Sequence, residues 1–169
     1  METMGADAVV PPRATWRGKL RLWRARRRAG VELGSGVLIG RDVVLQAAPG
    51  GRVVVGAGAA LGDGARVEAR GGTLTIGPEA AIGDHASLAG AVTVGPECVI
   101  GDWAHAEGDA RLEARSRLAA HAVALSGAHV GAGAVVGSYS VIDGAVPPGA
   151  TVQRNGSVPA QTRAPRSSS

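Results

Sequence analysis

The chain of 169 residues has no Phe, one Tyr and three Trp. A two-layer domain of this length ordinarily buries several aromatic rings, because each removes a large apolar area from water. A core built from this chain must be narrow and filled by Val, Ile, Leu and Ala. The single cysteine, Cys98, excludes an intrachain disulfide and a cysteine-rich metal site. No apolar run approaches the roughly 18 residues of a membrane-spanning helix. The first residues lack the apolar core of a secretion signal, so the expectation is a soluble, cytoplasmic protein.

What the chain does have is Gly, at 27 residues, against a usual share of about 7%. The formal net charge of +4 is divided by region. Residues 1–30 carry eight basic and two acidic groups, and residues 151–169 carry three Arg. Residues 31–150 carry seven basic and twelve acidic groups. A mildly acidic middle is flanked by basic ends. It offers nucleic acid no continuous basic surface, so nucleic acid is not an expected partner.

Internal periodicity is strong. Every sixth residue from Ile76 to Ile142 is Ile, Leu or Val, except Ala106 and Ala124. The fifth residue of each hexad is small or β-branched, from Ala80 through Cys98 and Ser116 to Val146. The second is Gly at 77, 83, 95, 101, 131 and 137. A period of six fits neither a helix at 3.6 nor a simple alternating strand. It fits a short strand followed by a corner, repeated, with the aliphatic and small residues pointing inward and Gly supplying the turn. Earlier pieces share the pattern out of phase, at Leu33, Ile39 and Leu45, then Val55, Leu61 and Val67. The breaks, "APGGRVVV" and "ARGGTLTI", each contain Gly-Gly and read as corner insertions.

Residues 31–147 therefore resemble the hexapeptide-repeat family, whose fold is the left-handed parallel β-helix. That resemblance implies an all-β fold in which three hexads make a triangular coil of 18 residues, so the segment makes about six and a half coils. It divides the chain into a basic N-terminal arm (1–30), the β-helix (31–150) and an irregular C-terminal tail (151–169). In the arm, Trp16, Leu20 and Trp23 lie at i, i+4 and i+7, one face of a short helix. This helix is expected to cap the first coil, whose sheet edge is otherwise open. Peripheral contact of the basic arm with a membrane is the lesser reading. The exit "VPPGATVQRNGSVPA" resembles the "VPP…GxPA" ending of hexapeptide acyltransferases, with a few extra residues at "QRNGS".

Residues 18 apart should lie above one another. His85, Trp103, His121 and Tyr139 form such a column, with His105 two residues beyond Trp103. His85 and His121, two coils apart, are separated by about 9–10 Å at their backbones. That is too far for a shared zinc, which needs nitrogens at about 2 Å, and no metal is expected. His85 and His129 read as solvated surface residues, and Cys98 as a buried small one.

The segment "CVIGDWAHAEGDARL", residues 98–112, resembles the "CxIGDxxHIxPGAxL" segment of sugar N- and O-acyltransferases of the sialic-acid and bacillosamine type. His105 matches a histidine that in those enzymes contacts ligand and helps bind the acyl donor. Their catalytic base, nine residues earlier, corresponds to Pro96, which cannot act as one. In O-acetyltransferases of the maltose and galactoside type the base lies on an inserted loop. The comparable "AEGDARLEARSR" has neither insertion nor histidine. The resemblance implies an acetyl-CoA-dependent acyltransferase, working as a homotrimer on a hydroxyl or amine of a sugar or similar small acceptor. His105, then His121, are the candidates for base, since imidazole titrates near neutrality. Trp103 and Tyr139 would line the site. Glu107 and Asp109 are weaker bases. Gly133, Ser138 and Arg154 are the candidate contacts to the donor. The alternative is a catalytically silent β-helix serving as an assembly module.

Overall fold

A computed structural model describes residues 30–153. Among them, strands of two to four residues recur with corners between them and no helix. They line up as three parallel sheets. The first sheet holds Val31–Leu33, Arg52–Val55, Thr73–Ile76, Thr93–Val94, Arg111–Leu112, His129–Val130 and Ala145–Val146. The second holds Leu38–Ile39, Ala60–Leu61, Ala81–Ile82, Val99–Ile100, Arg117–Leu118, Val135–Val136 and Thr151–Val152. The third holds Val44–Ala47, Arg66–Ala69, Ser87–Gly90, His105–Gly108, Val123–Ala124 and Val141–Ile142. The chain visits first, second and third sheet in turn, one triangular coil per circuit, as a left-handed parallel β-helix.

The hexad explains this arrangement. In a two-residue strand such as Val99–Ile100 the first side chain faces out and the second faces the core. The small residue at each corner turns inward and fills the apex. Ile76, Ile82, Leu88, Val94, Ile100, Leu112 and Leu118 are all buried, as are the corner residues Ala80, Ala86, Ala104, Ala110 and Ala122. Cys98 belongs to that inner set, its Sγ 3.3 Å from the Ser116 hydroxyl.

The 18-residue step holds through the middle, where Thr75, Thr93, Arg111 and His129 pair in sequence. The two Gly-Gly segments lengthen earlier coils at the third corner, so Val31 pairs with Val53 and Val53 with Leu74. One expectation changes near the end. Val146, placed at a corner by the strict hexad, is a strand residue paired with Val130. The bend at residues 143–144 is shorter than a full corner, and the register slips to keep an aliphatic side chain inside.

Each coil is tied to the next by backbone bonds, such as Val123 N–H to Ser140 C=O at 2.8 Å. At the corner between second and third sheets an aspartate ladder adds to them. The N–H groups of Arg41, Asp63 and Asp84 donate to the carboxylates of Asp63, Asp84 and Asp102 at 2.6, 2.7 and 2.8 Å. The Arg41 guanidinium closes the ladder on Asp63, which holds its pKa above the ordinary value. The arm with Trp16, Leu20 and Trp23, and the tail from residue 154, lie outside the described residues.

The narrow core is the main source of stability, so one truncation inside it should be felt in full. Ile100→Ala should cost about 2–5 kcal/mol, as for large-to-small changes at fully buried sites. Urea unfolding measures this; a cost under about 1 kcal/mol would contradict close packing at that layer.

Candidate functional site

The column expected from the 18-residue step is present, but it runs along a corner and not across a face. His85, Trp103, His121 and Tyr139 occupy successive turns between the second and third sheets. Their rings are piled on one another. Centroids are 4.3 Å apart for His85–Trp103, 6.4 Å for Trp103–His121 and 4.8 Å for His121–Tyr139. The last two pairs are parallel within 4°. His85, expected to be solvated, is exposed and also forms one end of the stack.

The stack is held at a backbone cost. All four residues have φ between 55° and 62°, a left-handed conformation costing roughly 1–2 kcal/mol for a residue with a side chain. Gly64, which precedes them at the same corner, has φ 69° and no such cost. Aromatic stacking returns about 0.5–1.5 kcal/mol per pair. Three such pairs return less than four left-handed residues cost, so the rings are placed there at a net cost in local stability. The gaps are too small to admit a flat ligand, which needs about 7 Å between two rings at van der Waals contact. What the column offers is ring edges. Trp103 and Tyr139 are 56% and 58% exposed, and with Val141 at 57% they form an apolar strip along this corner.

His105 stands beside that strip, at the start of the strand His105–Gly108 on the outer face of the third sheet. It pairs with Ser87 on one side and Val123 on the other. Its Nε2 lies 3.3 Å from Glu107 Oε2. A carboxylate oxygen only accepts, so a hydrogen bond at this contact is donated by Nε2–H. His121 lies in the ring stack between Trp103 and Tyr139. Ser138 adjoins Tyr139 at the same corner, whereas Gly133 sits at the corner between first and second sheets, away from His105. Arg154 lies outside the described residues. Pro96 is at a corner of its own, between first and second sheets. Residues 106–117 keep the coil register with no inserted loop.

A second imidazole–carboxylate pair was not legible as such in the sequence. His129, on the outer face of the first sheet, has its Nε2 2.8 Å from Glu113 Oε1. The other oxygen of Glu113 accepts the Ala132 N–H at 3.0 Å. The bond from His129, then that from Ala132, hold the Glu113 carboxyl below its ordinary pKa. The available signal was Glu113 itself. It succeeds a first-sheet strand, where Gly34, Gly56, Gly77, Gly95 and Gly131 stand in five of the other coils and Pro147 in the last. A Cβ at Gly77 or Gly131 would come within 2.5 Å of the next coil's backbone. Asp109 is likewise fixed, accepting the Ser126 hydroxyl at 2.8 Å and the Gly127 N–H at 2.7 Å, and both lower its pKa. Among the described residues no three His, Cys, Asp or Glu side chains converge as a metal site requires.

The repeat, the three sheets and the coil register together decide the fold. The chain is a hexapeptide-repeat β-helix. No protein-family model matches it, and no curated protein does. Among solved structures, this β-helix is similar to a hexapeptide-repeat acetyltransferase of Vibrio cholerae, crystallised with acetyl coenzyme A. Identity is 18%, with 79% of this chain and 71% of that one covered and a TM-score of 0.38. It is also similar to the Arabidopsis UDP-N-acetylglucosamine acyltransferase, at 13% identity, 74% and 70% coverage and a TM-score of 0.38. A hexapeptide transferase family protein of Anaplasma phagocytophilum matches at 17% identity, 73% and 79% coverage and a TM-score of 0.31.

The fixed carboxylates set a pH dependence for this β-helix. Both Asp109 and Glu113 have folded pKa values below the unfolded ones. Their contribution is present above the ordinary carboxylate range and is lost as pH falls through the depressed folded values. The melting temperature should therefore drop from about pH 5 downward, the unfolded reference lying near pH 4. Asp109→Asn should drop less over that span than the parent chain; an equal drop would contradict the assignment.

Proposed function

We propose that this β-helix is an acyltransferase. It takes the acyl group from acetyl-CoA or a similar acyl thioester and gives it to a hydroxyl or amine of a small polar acceptor, a sugar being the leading class. The reading rests on the resemblance of residues 98–112 to sugar acyltransferases. The observation that carries it further is the setting of His105. Its imidazole is on a strand paired on both sides, beside Glu107 and two residues after the exposed Trp103. In the reaction a base takes the acceptor proton and the freed lone pair bonds to the thioester carbonyl carbon. The C–S bond then breaks, and the thiolate leaves with the proton returned by the base. His105 serves as the donor contact that the resemblance implies. Three copies side by side, and a cytoplasmic setting, belong to the same proposal.

A second reading, a silent assembly module, is favoured by one feature. Neither position at which related enzymes carry their base holds a histidine: Pro96 fills one, and residues 106–117 run through the other as plain coil.

Ligand-induced stabilisation separates the two. A donor that binds only the folded protein raises its melting temperature. Millimolar acetyl-CoA should raise it by a few degrees, and His105→Ala should remove most of that rise. No shift in the parent protein would defeat the acyltransferase reading and leave the module.

A further inference from the structure

His105 and His121 are the candidates for base that follow from the resemblance, and the first sheet offers another that no motif indicates. Of the imidazoles described, His129 has the best-anchored partner. Glu113 reaches across to the next coil, where one oxygen meets His129 Nε2 at 2.8 Å and the other is pinned by the Ala132 N–H at 3.0 Å. The Glu107 contact to His105 is longer, at 3.3 Å. The equivalent corner position is Gly in five other coils and Pro147 in the last, and a Cβ at those glycines would press on the adjoining coil, so Glu113 is the one carboxylate in that column among the described residues. Natural sequences break a local rule of this kind mostly where function requires it. The depressed pKa keeps Glu113 ionised, able to orient the ring and to stabilise the imidazolium.

Arg111 completes the cluster. It pairs directly with His129 in the neighbouring coil, so both side chains leave the same face about 5 Å apart at their backbones. It has no ion pair among the described residues, and its charge contributes to the lowered pKa of Asp109. A guanidinium so placed suits a carboxylate or phosphate.

We propose that Arg111, His129 and Glu113 form the acceptor site: Arg111 holds an acidic group of the acceptor, and His129, oriented by Glu113, takes the proton from its hydroxyl or amine. The inference rests on the acyltransferase reading and names both its base and its acceptor class, a small molecule bearing a carboxylate or phosphate. With Nε2–H given to Glu113, Nδ1 accepts the proton and later returns it to the departing thiolate. The donor contact His105 lies on the adjoining third face, across the corner at residues 109–110.

Two measurements test the site, and one of them needs no turnover. In long-range nitrogen–proton spectra, His129 should be the Nε2-protonated tautomer in the parent and a mixture in Glu113→Gln. Inorganic phosphate should shift its ring resonances saturably in the parent and not in Arg111→Ala. A mixed tautomer in the parent, or no response to phosphate there, would overturn the site. For the chemistry, with glucosamine 6-phosphate supplied as probe acceptor, His129→Gln should lower thiol release from acetyl-CoA about 100-fold, the usual weight of a general base. Its acetyl-CoA-induced rise in melting temperature should stay that of the parent. Unchanged thiol release would remove His129 as base while leaving acyl transfer standing. Absence of an acetyl-CoA shift in the parent would instead remove the acyltransferase reading, and the spectra would still report on the anion site.

Discussion

The rest of the structure depends on one constraint: outward-directed backbone N–H groups in each strand find their acceptor only in the next coil. Buried or half-buried amides cannot be left unpaired without a cost comparable to a lost hydrogen bond. Every coil must therefore stack on its neighbour in one register, and that register is the 18-residue step seen from Thr75 to His129. Where extra residues occur they are expelled to a corner, at the two Gly-Gly segments. Where residues are missing, at 143–144, the pairing slips to keep Val146 inside.

A fixed register turns sequence columns into physical ones. The aspartate ladder, the ring stack and the Arg111–His129 pair are each a side chain repeated, or answered, one coil further on. Their energetics differ. The ladder satisfies backbone donors and adds stability. The ring stack returns less than its own backbone strain costs. Glu113 departs from the packing rule of its corner and holds an imidazole in return. Residues 109–117 keep the coil register and depart from the repeat only in side chain, with Glu113 where five other coils have Gly.

The sequence made the scaffold legible because its signal is repeated many times over. The inward positions from Ile76 to Leu118, the two corner insertions, the ring column and the buried Cys98 all come from counting by six and eighteen. The column's place on a corner was not legible, since hexad position alone does not distinguish the end of a face from the turn beside it. The hydrogen bond between Glu113 and His129 was hidden for a different reason. Those residues are 16 apart, not 18, and meet because one is at a corner and the other on a strand. A column-based count never places them together. Gly133 and His105 show the same limit in reverse, being paired as site candidates and yet on different parts of the coil.

The most direct test of the account is excision of whole and partial coils. Removing residues 76–93, one complete step, joins Thr75 to Val94 in an equivalent position and takes away only His85 from the ring column. That shortened chain should unfold cooperatively, with the circular dichroism of a β-helix. Removing residues 76–92 leaves one extra residue inside a strand, where it reverses the inward and outward sense of every later position in that strand. That chain should lose its cooperative transition. Equal behaviour of the two deletions would contradict the claim that a single coil register governs the fold and the site.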